Sequence, residues 1–210
     1  MTISPHDGLR RLKDGNDRFA AGVPSTDASA NHLRRIVSSQ RQEPFAIVLG
    51  CSDSRVPAEF IFDQGLGDLF VIRVAGNIVA PSQVGSVEFA VERFGTSLVV
   101  VLGHSSCGAV LATLEQLLRP TEQQSPNLRS IVDRVRPSVE SLLATELRHD
   151  HNALVSHAVR ANVRLSVNHL RHGSSILEQY IQARKLLVVG AEYSLDTGKV
   201  DFFDGTEWIA

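Results

Sequence analysis

Two segments of the chain, FAIVLGCSDSR at 45–55 and LVVVLGHSSCG at 98–108, have the same construction. Each is a continuous apolar run followed by a glycine, a residue of metal-ligand type and a serine. Short runs rich in β-branched residues, without alternation, are typical of strands buried on both faces of a sheet. Runs of the same kind occur at 69–72 and 186–189. In both quoted segments the potential ligand follows a strand end, where open α/β sheets place their ligand sites.

Helical patterns separate these strands, and such alternation predicts parallel strands joined by right-handed crossovers. We expect helices at 82–94, 107–118, 131–147 and 154–170. The tail from 190 to 203 contains an Asp196-Thr-Gly198 turn and predicts an antiparallel edge strand. The fold class is therefore α/β, with a central, mostly parallel four-stranded sheet, an extra C-terminal edge strand, flanking helices and an N-terminal helical arm.

The chain of 210 residues, 43% of them hydrophobic, has enough apolar material for one sizeable core, and we expect a single domain spanning 1–210. Its expected parts are a helical dimerisation arm at 1–40, a core carrying the metal site at 45–110, a helical region at 127–183, and the last strands and tail at 185–210. In the arm, Leu9, Leu12 and Phe19 form an apolar stripe with nothing nearby in the sequence to bury it, and a second helical segment is expected around 33–37.

Composition excludes several classes of partner. Lys and Arg number 21 against 23 Asp and Glu, for a net charge of -2, so the charge pattern of nucleic-acid binding is missing. The sequence has neither the apolar stretch of a signal peptide nor a run of the ~18 apolar residues that span a membrane, and we expect a soluble, cytoplasmic protein. In that reducing compartment, the two cysteines indicate metal binding or catalysis rather than a disulfide.

The two strand ends together predict a zinc site. His104 and Cys107 lie three apart on a turn that leads into a helix at Gly108, and Cys51 comes from the neighbouring strand end. Two thiolates and an imidazole favour one Zn²⁺ per chain over Mg²⁺ or Ca²⁺, which prefer oxygen. Three protein ligands leave a tetrahedral position free, as in catalytic zinc sites.

Asp53 and Arg55 follow the first ligand directly and have two possible roles. If Arg55 pairs with Asp53, the carboxylate stays ionised and can accept a hydrogen bond from water or hydroxide on the zinc. If the pair breaks, Asp53 could bind the zinc and close the site.

At this point the chain resembles the β-class carbonic anhydrases, through the motif Cys51-Ser-Asp53-Ser-Arg55 followed by His104-Ser-Ser-Cys107-Gly108. The resemblance runs from about Gln42 to Leu111. It implies zinc ligands at Cys51, His104 and Cys107 and a catalytic dyad of Asp53 and Arg55. It also implies a substrate-binding amide at Gly108 and substrate-pocket residues, some from a neighbouring subunit, at Gln42, Phe70, Ala75 and Phe89. Ala75 and Phe89 stand where plant-type members have Val and Tyr.

The resemblance further implies reversible hydration of carbon dioxide to bicarbonate by a zinc-bound hydroxide, in a homodimer or a dimer of dimers. Two thiolates leave a weaker Lewis acid than three imidazoles would, so we expect activity that rises with pH. Some bacterial members carry an inhibitory bicarbonate site built on a Trp, an Arg and a Tyr. The corresponding positions here hold Val48, Arg73 and Tyr193, and without the Trp we do not expect that site.

Three other functions are weighed against this one. Hydrolases of carbonyl sulfide or carbon disulfide resemble the same family and use the same metal set. A non-catalytic zinc or redox module would have Asp53 permanently closing the coordination shell. A nicotinamide-dependent zinc dehydrogenase is discarded, because no Gly-x-Gly-x-x-Gly follows any predicted strand.

Overall fold

The computed structural model describes residues 3–23, 25, 34–36, 38–120 and 125–206. They form an α/β fold around a five-stranded sheet of order β2-β1-β3-β4-β5. The first four strands are mutually parallel, and the fifth is an antiparallel edge strand beside β4. The fold class expected from the sequence is confirmed. The strands are β1 (Ala46–Gly50), β2 (Leu69–Arg73), β3 (Leu98–His104), β4 (Leu187–Tyr193) and β5 (Val200–Asp204).

The central strands β1 and β3 are buried along their whole length, which explains their unbroken apolar sequences. Alternate side chains pack on opposite faces of the sheet. Val48 and Val100 belong to the core on one face, whereas Leu49 and Val101 belong to the core on the other. A third apolar cluster lies beyond the carboxyl ends of the strands and includes Cys51 and Cys107.

In the described part of the chain, the sheet is surrounded by helices α1 (Pro5–Ala20), α2 (Ala58–Ile61), α3 (Pro81–Phe94), α4 (Gly108–Leu118), α5 (Pro126–Val139) and α6 (His151–His172). A further helix, α7 (Ser175–Gln182), precedes β4. The helices expected at 82–94, 107–118 and 154–170 are confirmed as α3, α4 and α6.

The helix expected over 131–147 is wrong at both ends. It begins earlier, at Pro126, and ends at Val139. Two short 3₁₀ turns follow, at Glu140–Ala144 and Glu146–His149. Thr145 separates them, since its backbone is extended and its Oγ1 accepts a hydrogen bond from the Leu147 amide at 3.3 Å. The threonine therefore caps a new turn instead of continuing the helix.

Helix α1 buries its apolar stripe on its own chain. Leu9 and Leu12 are fully buried in the same core as Val48 and Val100. As expected, nothing nearby in the described part of the sequence covers this stripe, and the residues that bury it come from segments remote in sequence. The role of the arm in dimerisation stays a prediction. Residues 34–36 are helical, and the rest of the second helical segment expected at 33–37 lies outside the described residues.

Helix α6 approaches the sheet closely at two glycines. A Cβ on Gly103 of β3 would lie 2.5 Å from Val163, and one on Gly190 of β4 would lie 2.9 Å from the same side chain. These contacts place α6 directly against β3 and β4. Among the described residues, no helix combines the length and the apolar character needed to cross a membrane.

Candidate metal centre

The three predicted ligands meet at the carboxyl end of the sheet. Cys51 directly follows β1, His104 is the last residue of β3, and Cys107 is the N-cap of α4. Because β1 and β3 are adjacent and parallel, their ends lie side by side. The two sulfurs and an imidazole nitrogen all lie within 4.8 Å of one another, and all three residues are buried. This separation suits ligands of one zinc ion, each of which would lie ~2.0–2.3 Å from the metal.

The imidazole of His104 is prepared to bind a metal. Its Nδ1 lies 3.0 Å from the Ser105 carbonyl oxygen, and since a carbonyl only accepts, the proton is on Nδ1. Its Nε2 is buried and has no hydrogen-bond partner among the described residues. A buried nitrogen without a partner is costly unless it has a ligand to bind. The donor set and this nitrogen therefore fit Zn²⁺.

The thiols of the cluster share a proton. A hydrogen bond from Cys107 lowers the pKa of Cys51 to about 4. The same bond, together with burial, raises the pKa of Cys107 above its ordinary value. Burial lowers the pKa of His104, but the neighbouring Cys51 thiolate outweighs burial, so this pKa is raised overall. The cluster is thus electron-rich, and a bound cation would displace its protons.

A 3₁₀ turn at Ala75–Asn77 lies against the first sulfur. The Gly76 amide donates a hydrogen bond to Cys51 Sγ at 3.4 Å. Gly76 has a φ of 72°, and a Cβ there would lie 3.0 Å from the Ala109 Cβ. Glycine suits this position because it adopts a left-handed backbone readily and because it has no Cβ to crowd Ala109.

Asp53 and Arg55 form a bidentate ion pair beside the cluster. Arg55 Nε donates to Asp53 Oδ1 at 2.9 Å and Nη2 donates to Oδ2 at 2.8 Å. The guanidinium holds the pKa of the Asp53 carboxyl well below its usual range, so the group is a carboxylate. Asp53 Oδ2 lies 3.9 Å from His104 Nε2. The carboxylate therefore faces the metal ligands while both of its oxygens are paired with Arg55.

Arg73, at the end of β2, braces the backbone of this loop. Its Nε donates to the Cys51 carbonyl at 3.0 Å, and its Nη2 donates to the Asp53 carbonyl. The other two positions compared with the inhibitory bicarbonate site, Val48 and Tyr193, are buried in the core. The guanidinium of Arg73 is thus occupied with backbone carbonyls.

The second loop is held by hydrogen bonds of Ser105 to the end of β4 and the residues that follow it. The Ser105 amide donates to the Tyr193 carbonyl at 2.9 Å, which extends the β3–β4 ladder past His104. Ser105 Oγ accepts from the Leu195 amide at 3.0 Å. Gly108 opens α4, so its amide is one of those at a helix N-terminus that have no acceptor within the helix. That amide and the positive end of the helix suit a developing negative charge.

The predicted pocket residues do not all reach the cluster within one chain. Gln42 and Phe89 line a cavity of about 1100 Å³, whose described lining does not include the three ligands. Phe70 packs beside it, with its ring centroid 6.3 Å from that of Phe89. Ala75 lies in the turn that contacts Cys51.

Sequence reasoning missed several residues of this site. Gly76, which contacts the sulfur, and Arg73, which braces the loop, were not assigned these contacts. Asn162 and Ser166 also bond to the 75–77 turn from α6. Their signal in the sequence is weak: two polar residues one helical turn apart on the buried face of an amphipathic helix.

Comparisons with known proteins agree with this geometry. Residues 46–200 match the family model described as carbonic anhydrase. The chain is 42% identical to a carbonic anhydrase of Mycolicibacterium smegmatis over 94% of this chain and 93% of that protein. It is 41% identical to carbonic anhydrase 2 of Mycobacterium tuberculosis over 93% of this chain and 91% of that protein. The β-carbonic anhydrase CafA of Aspergillus fumigatus superposes with a TM-score of 0.74 at 27% identity, covering 95% of this chain and 92% of that one.

Proposed function

The chain belongs to the β-class carbonic anhydrases, and we propose that Cys51, His104 and Cys107 hold its zinc while Asp53, Arg55 and Gly108 direct the reaction. It is a zinc-dependent lyase that hydrates carbon dioxide. The observation that carries the assignment of residues is the buried cluster of two sulfurs and a partnerless imidazole nitrogen, with a paired carboxylate beside it.

When bound, zinc lowers the pKa of a coordinated water from about 15.7 toward ~7 and so supplies a nucleophile near neutral pH. The three protein ligands would leave one position for that water. Asp53 would accept a hydrogen bond from the nucleophile and orient it toward the substrate. It can do so because Arg55 keeps it ionised and fixes the direction of its oxygens.

The amide of Gly108 would meet the charge that develops on the substrate oxygen. It stands at the first position of α4, directly after Cys107. A preorganised amide at a helix N-terminus stabilises such charge without reorganisation during the reaction. Carbon dioxide itself is apolar, and apolar walls beside the cluster would hold it before attack.

The pairing of Asp53 with Arg55 supports an open site over a closed zinc module. A fourth protein ligand would have to come from Asp53, and both of its oxygens are engaged by Arg55. The matched relatives are carbonic anhydrases, and no observation favours carbonyl sulfide or carbon disulfide as the substrate.

We further propose that the working unit is a homodimer. Phe89 is 53% exposed, although it packs against the rings of Phe70 and Phe94 at centroid distances of 6.3 and 5.6 Å. A second subunit on this aromatic surface would cover it and bring pocket residues to the metal centre. Sedimentation of the purified protein should give at least a dimer, and Phe89→Glu should shift it toward the monomer. Monomeric wild-type protein with full activity would contradict this proposal.

Stopped-flow hydration of carbon dioxide tests the proposed site. The zinc-loaded protein should catalyse the reaction, with a rate that rises as the pH increases through the titration of the coordinated water. A chelator should abolish the activity, and added zinc should restore it. Activity that survives complete removal of zinc would contradict the assignment.

A further inference from the structure

The turn at Ala75–Asn77 connects the metal centre with helix α6. Gly76 and Asn77 both have left-handed backbones, with φ of 72° and 44°. Glycine adopts this conformation readily, whereas a left-handed backbone at Asn77 is favoured only where its surroundings hold it. Within this turn, the Gly76 amide donates a hydrogen bond to Cys51 Sγ. The groups that hold the turn therefore control a contact to a metal ligand.

Two buried side chains of α6 hold it. Asn162 Nδ2 donates to the Gly76 carbonyl at 2.8 Å, and Ser166 Oγ donates to the Asn77 carbonyl at 2.9 Å. Asn162 is 1% exposed and Ser166 is 3% exposed, so bulk water does not compete for either hydrogen bond. Since α6 is itself fixed on the sheet by the close contact of Val163 with Gly103, these bonds have a rigid base.

We propose that Asn162 and Ser166 are positioning residues for the Cys51 thiolate. They fix the carbonyls of the 75–77 turn and thereby aim the Gly76 amide at the sulfur. A hydrogen bond to a thiolate withdraws electron density from it, and such outer contacts orient a ligand and tune the metal that it binds. This inference rests on the proposed role of Cys51 as a zinc ligand.

The competing explanation is that both polar groups only support the packing of α6. In that case, their loss would lower the stability of the fold and leave the metal unaffected. Cobalt(II) is a suitable probe for separating the two, because sulfur-to-cobalt charge transfer reports on the thiolate directly. Val167 supplies the matched control, since it is buried on the same helix and packs in the apolar core rather than on the turn.

The test uses full-length Asn162→Ala, Ser166→Ala and Val167→Ala proteins. Asn162→Ala should weaken zinc binding about tenfold in a chelator competition and move the charge-transfer band to lower energy. Ser166→Ala should produce smaller changes in the same direction. Val167→Ala should lower the thermal midpoint with neither metal readout changed.

Parent-like zinc affinity and an unshifted band in Asn162→Ala would overturn the proposal. If Asn162→Ala does not fold, the same two measurements on Ser166→Ala decide, and parent-like values there would overturn the proposal. A parent protein that binds neither zinc nor cobalt would overturn the proposed function along with this inference. If the parent binds zinc and cobalt normally, and neither zinc affinity nor the charge-transfer band changes in Asn162→Ala and Ser166→Ala, the inference is overturned and the proposed function stands.

Discussion

The two loops that form the metal centre begin alike in sequence and are held in different ways. The loop of Cys51 to Arg55 is fixed by charged side chains, and the side chain of Arg55 is 57% exposed. In the loop of His104 to Cys107 both ligand residues are buried, and the loop is fixed by hydrogen bonds of Ser105 to Tyr193 and Leu195 and by the start of α4. The comparison indicates a division of roles, in which the second loop supplies two of the three proposed ligands from a rigid base and the first supplies the third ligand and the reactive carboxylate.

Removal of a ligand from the rigid loop should have the largest effect. Cys107→Ala leaves two protein ligands, so zinc content should fall far below one ion per chain, and hydration should fall by about 10³-fold or more. Elemental analysis and stopped-flow assays on the same sample measure both quantities. A variant that keeps one zinc and parent-like turnover would remove Cys107 from the ligand set.

Asp53→Asn should separate activity from metal binding. The amide cannot act as the carboxylate acceptor, and we expect a loss of about 10²-fold in kcat with zinc still bound. Asp150→Asn is the matched control, because Asp150 caps α6 through the Ala153 amide and asparagine caps helices equally well. Loss of zinc from Asp53→Asn would show that the Asp53 carboxylate itself contributes to metal binding.

Replacement of Arg55 should have a milder effect through the same carboxylate. Arg55→Gln removes the two bonds that orient Asp53, and activity should fall about 10-fold. Arg55→Lys keeps the charge without the paired geometry and should recover only part of the loss. Full activity in the lysine variant would mean that charge alone is sufficient.

The pH dependence of zinc affinity tests the rigid loop without any substitution. The raised pKa of Cys107 means that the thiol keeps its proton near neutral pH, whereas zinc requires the thiolate. Zinc affinity should therefore rise about tenfold for each pH unit while this proton is released on binding. Asp53→Asn should leave the slope unchanged, and a flat affinity between pH 6 and 8 would contradict the shared proton.

Much of the fold and of the proposed ligand set could be read from the sequence, because both depend on local patterns. Buried strands leave unbroken apolar runs, and the ligand types stand directly after two of them. The remaining features depend on contacts between distant segments. The burial of Leu9 needs the assembled sheet, and the bond from Asn162 reaches Gly76 across 86 positions of the chain. The break at Thr145 also escaped prediction, because this residue caps a new turn within an otherwise helical pattern.

The coordination of zinc in a crystal structure of the loaded protein at neutral pH tests the division of roles most directly. We predict Cys51 Sγ, His104 Nε2 and Cys107 Sγ as the three protein ligands, a solvent molecule in the fourth position, and Asp53 still paired with Arg55. An Asp53 oxygen bound to the metal, with Arg55 displaced, would contradict the proposal.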